Sequence, residues 1–169
     1  LRGINMQQRG FTLIELIIVI VILGILAVTA APRFIDFQGD ARASTLEGLR
    51  GALQGGTQLV YARSAIAGEQ AGIAESVNIN GTAVATQFGY PDADTMTFAG
   101  TIEAWTDLTD ADWDIVVTTA GANANGAVTT AGVVSFYPEG QSSATCAVTY
   151  EEASSAGDAP TVTATTTGC

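Results

Sequence analysis

Arg9-Gly10-Phe11-Thr12-Leu13-Ile14-Glu15 opens an apolar run, Leu16-Ile17-Ile18-Val19-Ile20-Val21-Ile22-Leu23-Gly24-Ile25-Leu26, that continues to Ala31 and stops at Pro32. About 20 such residues in a helix span a hydrocarbon core, and Phe11 to Ala31 has that length. Glu15 is the exception inside the run. A lone carboxylate in hydrocarbon is costly, so it requires a partner. Arg2 and Arg9 lie ahead of the run and orient the chain N-in, C-out.

Three readings compete for this segment. It is a cleaved secretory signal with small residues at Thr29-Ala30-Ala31, a plain single-pass anchor, or a helix processed at its start by a cut between Gly10 and Phe11. Only the third gives Glu15 a use. The cut creates an α-amine on Phe11, four residues and one helical turn before the carboxylate. Ammonium and carboxylate attract strongly in apolar surroundings, and between staggered helices that attraction sets axial register. Residues 1–10 then form a polar leader, with Met6 rather than Leu1 as the expected initiator.

Composition narrows the function. The net charge is −11, with six Arg, no Lys and no His. Nucleic-acid backbones reward clustered cations, so nucleic acid is not an expected partner. Without His or Lys there is no imidazole base, Schiff-base lysine, Ser–His or Cys–His pair, or His-based metal site. Neither enzymatic activity nor a cofactor is expected. Cys146 and Cys169 are the two cysteines. In an exported domain they are expected to form a disulfide closing a loop of about 24 residues, worth roughly 3–3.5 kcal/mol in the chain-entropy model. Two free thiols are the alternative.

Beyond Pro32 the pattern turns amphipathic. Leu46, Leu49, Leu53 and Val60 follow helical spacing, with Phe34, Phe37 and Ala41 continuing the apolar side upstream and Arg42, Glu47, Arg50 and Arg63 on polar positions. Glu47 and Arg50 stand three apart and are placed to pair. One long helix from about 11 to 66 is expected, with Gly24 and Pro32 as its weak points. Gly39, Gly48, Gly51, Gly55 and Gly56 either permit close packing or mark an earlier end near residue 54. Asn80-Gly81 predicts a hairpin, Tyr90-Pro91-Asp92 a chain break, and Met96–Trp105 a short helix. Segments 114–119, 132–137, 144–150 and 161–166 predict an antiparallel meander of three to five strands, the last pair clipped by the disulfide. The fold class is α+β. It comprises a leader (1–10), an apolar helix half (11–32), an amphipathic half (33–66), and a globular part (67–169) built from an αβ-loop and a sheet.

Gly10-Phe11-Thr12-Leu13-Ile14-Glu15, with the apolar run and Pro32, resembles the processing motif of type IV pilins and their pseudopilin relatives. The resemblance implies a pilin-like fold. It also implies cleavage between Gly10 and Phe11 by a prepilin peptidase, N-methylation of Phe11, and pairing of Glu15 with a neighbouring subunit's Phe11 amine. The stretch from Gly24 to Pro32 matches the part that loosens in the family's filaments. Residues 24–34 and Gln38-Gly39-Asp40-Ala41-Arg42 look like mannose-sensitive haemagglutinin (MSHA) pilins, as do Phe88-Gly89-Tyr90-Pro91-Asp92-Ala93 and Thr166-Thr167-Gly168-Cys169. The function implied is that of a major pilin in a homopolymeric surface filament for attachment, held in the inner membrane before assembly. Its implied partners are an assembly platform and ATPase, with surface glycans as a candidate ligand. A type II secretion pseudopilin and an exported soluble binding domain are the alternatives.

Two weaker signals remain. Asp107, Asp110, Asp112 and Asp114 begin like a calcium loop, but Ile115 and Gly121 occupy the places where that loop wants Gly and Glu. A turn or helix start capped by Thr109 is the plainer reading, and no metal site is expected. Trp105, Trp113 and Tyr137 are read as core residues ahead of a sugar platform.

Overall fold

The computed structural model describes residues 10–98, 101–124 and 127–169, with residues 30–36 described by their helical backbone alone. Helix α1 runs Leu13–Ala67, within two residues of the expected span. The chain divides into two compact units, Leu1–Gly39 and Asp40–Cys169.

In the first unit every residue from Gly10 to Thr29 is exposed, although the stretch is almost wholly aliphatic. A helix apolar on all sides has no water-facing stripe and suits an apolar surrounding. Among the described residues no helix is long and apolar enough to cross a membrane. The apolar stretch with described side chains ends at Thr29, about 25 Å from Leu13 at 1.5 Å per residue, against a core of about 30 Å.

In the second unit α1 buries Leu46, Leu49, Leu53 and Val60 against Val84, Val134, Phe136, Val148 and Tyr150. The expected stripe is therefore correct from Leu46 onward but not upstream. Phe37 and Ala41 are exposed, and the side chain of Phe34 lies outside the described residues. Phe37 belongs to the first unit, where none of the described side chains is buried, and Ala41 precedes the first core position by more than a turn. Glu47 and Arg50 form the expected ion pair at 2.8 Å. The helix does not end near residue 54. A Cβ at Gly48, Gly51 or Gly55 would meet open space, whereas one at Gly56 would run into the indole ring and carbonyl of Trp105.

Among the described residues nine strands follow: β1 (Glu75–Ile79), β2 (Thr82–Gln87), β3 (Tyr90–Pro91), β4 (Trp113–Thr119), β5 (Ala122–Ala124), β6 (Ala127–Thr130), β7 (Val133–Pro138), β8 (Ala147–Glu151) and β9 (Thr161–Thr165). They form three antiparallel sheets, ordered β1-β2-β3, β4-β7-β8-β9 and β5-β6. The four expected strands are β4, β7, β8 and β9. The β5–β6 hairpin interrupts the expected meander between β4 and β7. Asn80 and Gly81, with φ of 53° and 90°, make the anticipated tight turn. A second such turn at Phe88 and Gly89, φ 50° and 84°, was not anticipated. It pairs Gln87 with Tyr90, making a strand of what reads as a chain break. Residues 99 and 100 of the expected Met96–Trp105 helix lie outside the described residues, and the described ones show no α-helix. Short 3-10 turns occupy Ala93–Thr95 and Ile102–Ala104. The Thr101 hydroxyl accepts from Thr97 N–H at 2.9 Å and lies 3.1 Å from the Thr95 carbonyl, a local alternative to helix bonding.

Cys146 and Cys169 flank the β8–β9 pair and are disulfide-bonded, with Cα atoms 4.9 Å apart. Gly168 N–H donates to the Thr145 carbonyl at 2.9 Å beside them. A buried carboxylate braces the two larger sheets. Glu152, just past β8, accepts from Gly132 N–H (2.6 Å), Ala93 N–H (3.0 Å) and Gln87 Nε2 (2.8 Å). Tyr150 completes the junction by donating to the Pro91 carbonyl at 2.6 Å. Burial pushes the Glu152 carboxyl up from its ordinary value, against the pull of its Gly132 and Ala93 donors, and burial also raises Asp92.

Candidate functional site

The Gly10–Glu15 motif lies at the start of α1. Gly10, Phe11 and Thr12 precede the helix, and all three are exposed. The Gly10–Phe11 peptide bond therefore sits in non-helical, accessible backbone. A Cβ at Gly10 would meet nothing within 4 Å, so no packing among the described residues demands a glycine there.

Thr12 is the N-cap. Its carbonyl accepts the first helical bond, from Leu16 N–H at 3.3 Å, and its hydroxyl accepts from Glu15 N–H at 3.3 Å. In return Glu15 Oε2 accepts from Thr12 N–H and from the Thr12 hydroxyl, each at 2.8 Å. This is a reciprocal capping box, and it satisfies two orphan donors of the first turn. Glu15 thus has a partner within its own chain, which sequence reasoning missed. The T-x-x-E spacing of Thr12 and Glu15 ahead of an apolar run was the available signal. The negative carboxylate also sits at the positive end of the helix dipole.

Gly24 lies within α1 and is exposed. Residues 1–9, with Arg2, Met6 and Arg9, lie outside the described residues, as does the side chain of Pro32. The disulfide Cys146–Cys169 belongs to the second unit.

The acidic stretch is a turn leading into β4. Thr109 Oγ1 donates to Asp112 at 3.2 Å, and Asp114 accepts from Gly140 N–H at 3.1 Å. Among the described residues no three carboxylates or other ligand side chains gather to hold a metal. Trp105, Trp113 and Tyr137 are all buried in the core rather than presented as a platform.

The family described as the prokaryotic N-terminal methylation motif matches residues 5–31. The type IV major pilin protein PilA of Myxococcus xanthus is 58% identical over 40 residues, which is 24% of this chain and 18% of that protein. The type IV narrow pilus major component PilA5 of Thermus thermophilus is 47% identical over 49 residues, 29% of this chain and 42% of that one. The fimbrial protein EcpC of Eikenella corrodens is 40% identical over 74 residues, 42% of this chain and 48% of the relative. The chain thus spans less than half the length of each of these relatives. No solved structure matches it. The methylation motif is thus matched across the Gly10–Phe11 junction, and the chain is similar over that part to type IV pilins.

Proposed function

We propose that the chain is the precursor of a type IV pilus subunit, the major pilin of an MSHA-type filament. The single observation that carries this reading is the Gly10–Glu15 motif, whose scissile bond lies in exposed, non-helical backbone immediately ahead of the capped apolar helix. A prepilin peptidase cuts between Gly10 and Phe11 and methylates the new Phe11 amine. Before assembly the run from Phe11 to Ala31 holds the chain in the inner membrane, with the globular unit in the periplasm. An assembly platform and its ATPase then extract it into a homopolymeric surface filament. Exposed aliphatic side chains such as Leu13, Ile14 and Val28 supply cohesion once neighbours cover them. Glu15 exchanges part of its capping role for the Phe11 amine of a neighbour and sets axial register. Gly24 and Pro32 are the points where the helix loosens in the fibre.

The MSHA assignment rests on residues 24–34, Gln38–Arg42, Phe88–Ala93 and Thr166–Cys169, and attachment through surface glycans follows from that assignment alone. Intact mass of protein from cells tests the core of the proposal. A chain beginning at methylated Phe11 is expected, and one beginning near Ala31 or Pro32 would overturn it. Glu15→Ala is expected to leave cleavage intact and abolish filaments, read by electron microscopy of sheared cell-surface fractions. Normal pili from that variant would remove Glu15 from the assembly mechanism.

A further inference from the structure

We propose that the globular unit carries two complementary faces, so that in a filament an acidic groove of one copy receives the Arg63 face of the next. The inference rests on the filament-subunit reading and adds to it the contact between globular units. The acceptor is a groove of about 380 Å³ beside β4, lined by Trp113, Ile115 and Val117 and by the carboxylates Asp94, Asp110 and Asp114. Strand β4 is an edge of its sheet. Two of the carboxylates are held by backbone donors: Asp94 accepts from Gly121 N–H at 3.0 Å and Asp114 from Gly140 N–H at 3.1 Å. Asp110 is exposed and makes no ion pair among the described residues.

The complementary face lies on α1. Leu59, Arg63 and Ile66 follow i, i+4, i+7 spacing and so share one side of the helix. Leu59 is 49% exposed and Ile66 80% exposed. Arg50 is paired with Glu47, and Arg42 donates to the Cys169 carbonyl. Arg63 makes no ion pair among the described residues.

Charge decides the occupant. Past Arg63 the chain carries carboxylates from Glu69 to Asp158 and no Arg or Lys. Once the segment carrying Arg2 and Arg9 is removed, an arginine for the groove comes from a helix α1. The chain's own Arg63 lines a different cavity, with Ile66, Glu69 and Ser76, so the matching guanidinium comes from a second copy. The apolar residues of the two faces match as well, Leu59 and Ile66 against Ile115 and Val117. Because the faces differ, the contact is heterologous, and head-to-tail repetition of such a contact builds an open filament when the rotation does not close. An exposed Arg–carboxylate contact is weak and screened by salt. It therefore orients globular units whose cohesion comes from elsewhere.

The test uses the full-length chain in the cell that assembles it, with Arg63→Cys and Asp110→Cys introduced singly and together. The native cysteines are held in their own disulfide, so a short bis-maleimide applied to intact filaments reads only the new thiols. The double variant is expected to give a ladder of dimers, trimers and higher species, and each single variant monomer only. Filaments of the double variant that stay monomeric, or dimers from a single variant, would overturn the contact while leaving the subunit reading intact. Absence of filaments from the unmodified chain would overturn both. Should the double cysteine variant fail to assemble, charge reversal replaces it. Arg63→Glu is expected to lower pilus yield several-fold at low salt, and adding Asp110→Arg to the same chain to restore it. Failure of that restoration would also sink the proposal.

Discussion

Leu13–Thr29 and Leu46–Val60 are stretches of the same helix with opposite relations to water. The first exposes aliphatic side chains on every face and gains intrachain stabilisation at its start from the Thr12–Glu15 capping box. The second exposes polar residues and buries Leu46, Leu49, Leu53 and Val60 in a core shared with the sheets. The difference teaches where each stretch finds its free energy. Burial of apolar area is favourable wherever it happens. The later stretch collects that gain in the folded monomer, and the earlier one can collect it only from surroundings the monomer lacks.

The sharpest way to break this comparison is a matched pair of truncations. Leu53→Ala should destabilise the globular unit by about 2–5 kcal/mol, the usual cost of emptying a core leucine site. Thermal melts of the full chain in detergent would show it. Ile20→Ala removes a similar side chain from the exposed stretch and should leave the melt unchanged while lowering pilus yield. Equal melting shifts from the two variants would erase the distinction between the stretches.

Smaller effects sharpen the account of the globular unit alone. Cys169→Ser removes the clip across β8 and β9 and should cost up to about 3 kcal/mol by the loop-entropy argument. Unchanged melting and pilus yield would show that the Gly168–Thr145 bond and the sheet pairing suffice. Gly56→Ala drives a methyl group into Trp105 and should cost about 1–3 kcal/mol, as overpacking does. Gly55→Ala faces open space and should be neutral or slightly stabilising, since alanine is the better helix former.

Legibility in the sequence followed the range of the interaction. The extent of α1, its buried stripe from Leu46, the Asn80-Gly81 hairpin and the four strands of the largest sheet are local patterns, and they were readable. The turn at Phe88-Gly89 was not, because a phenylalanine in left-handed backbone runs against local preference. It is held by burial of the ring beside Tyr90 and Ala153 and by Phe88 N–H donating to the Gly72 carbonyl at 2.7 Å. The need for glycine at 56 depends on Trp105, far along the chain. The β5–β6 hairpin, rich in Ala and Asn, offers no alternation of apolar and polar residues to read. At the candidate site Gly10, Phe11 and Glu15 were legible as a motif. The capping role of Thr12 is carried by the T-x-x-E spacing alone, which places the Glu15 partner three residues away.

Glu152 gives the smallest and most specific test, because its donors come from Gln87, Ala93 and Gly132 and no cation is among them. Burial raises its carboxyl above the ordinary value, so the folded state holds the proton more tightly than the unfolded chain. Below the ordinary carboxylate range both states are protonated, and the full contribution is present. As pH rises through the raised folded value the contribution is lost, because proton binding then favours the folded state less. Melting temperature of the full chain should therefore fall across that window, with Asp92, also raised by burial, adding to the slope. Glu152→Gln should flatten this part of the profile. The same variant should be less stable at all pH by about 1–3 kcal/mol, since its amide group meets a backbone N–H where a carboxylate oxygen had accepted. Parallel profiles for the two proteins would mean that the brace acts through its hydrogen bonds alone, and that its charge does not set the pH response of the globular unit.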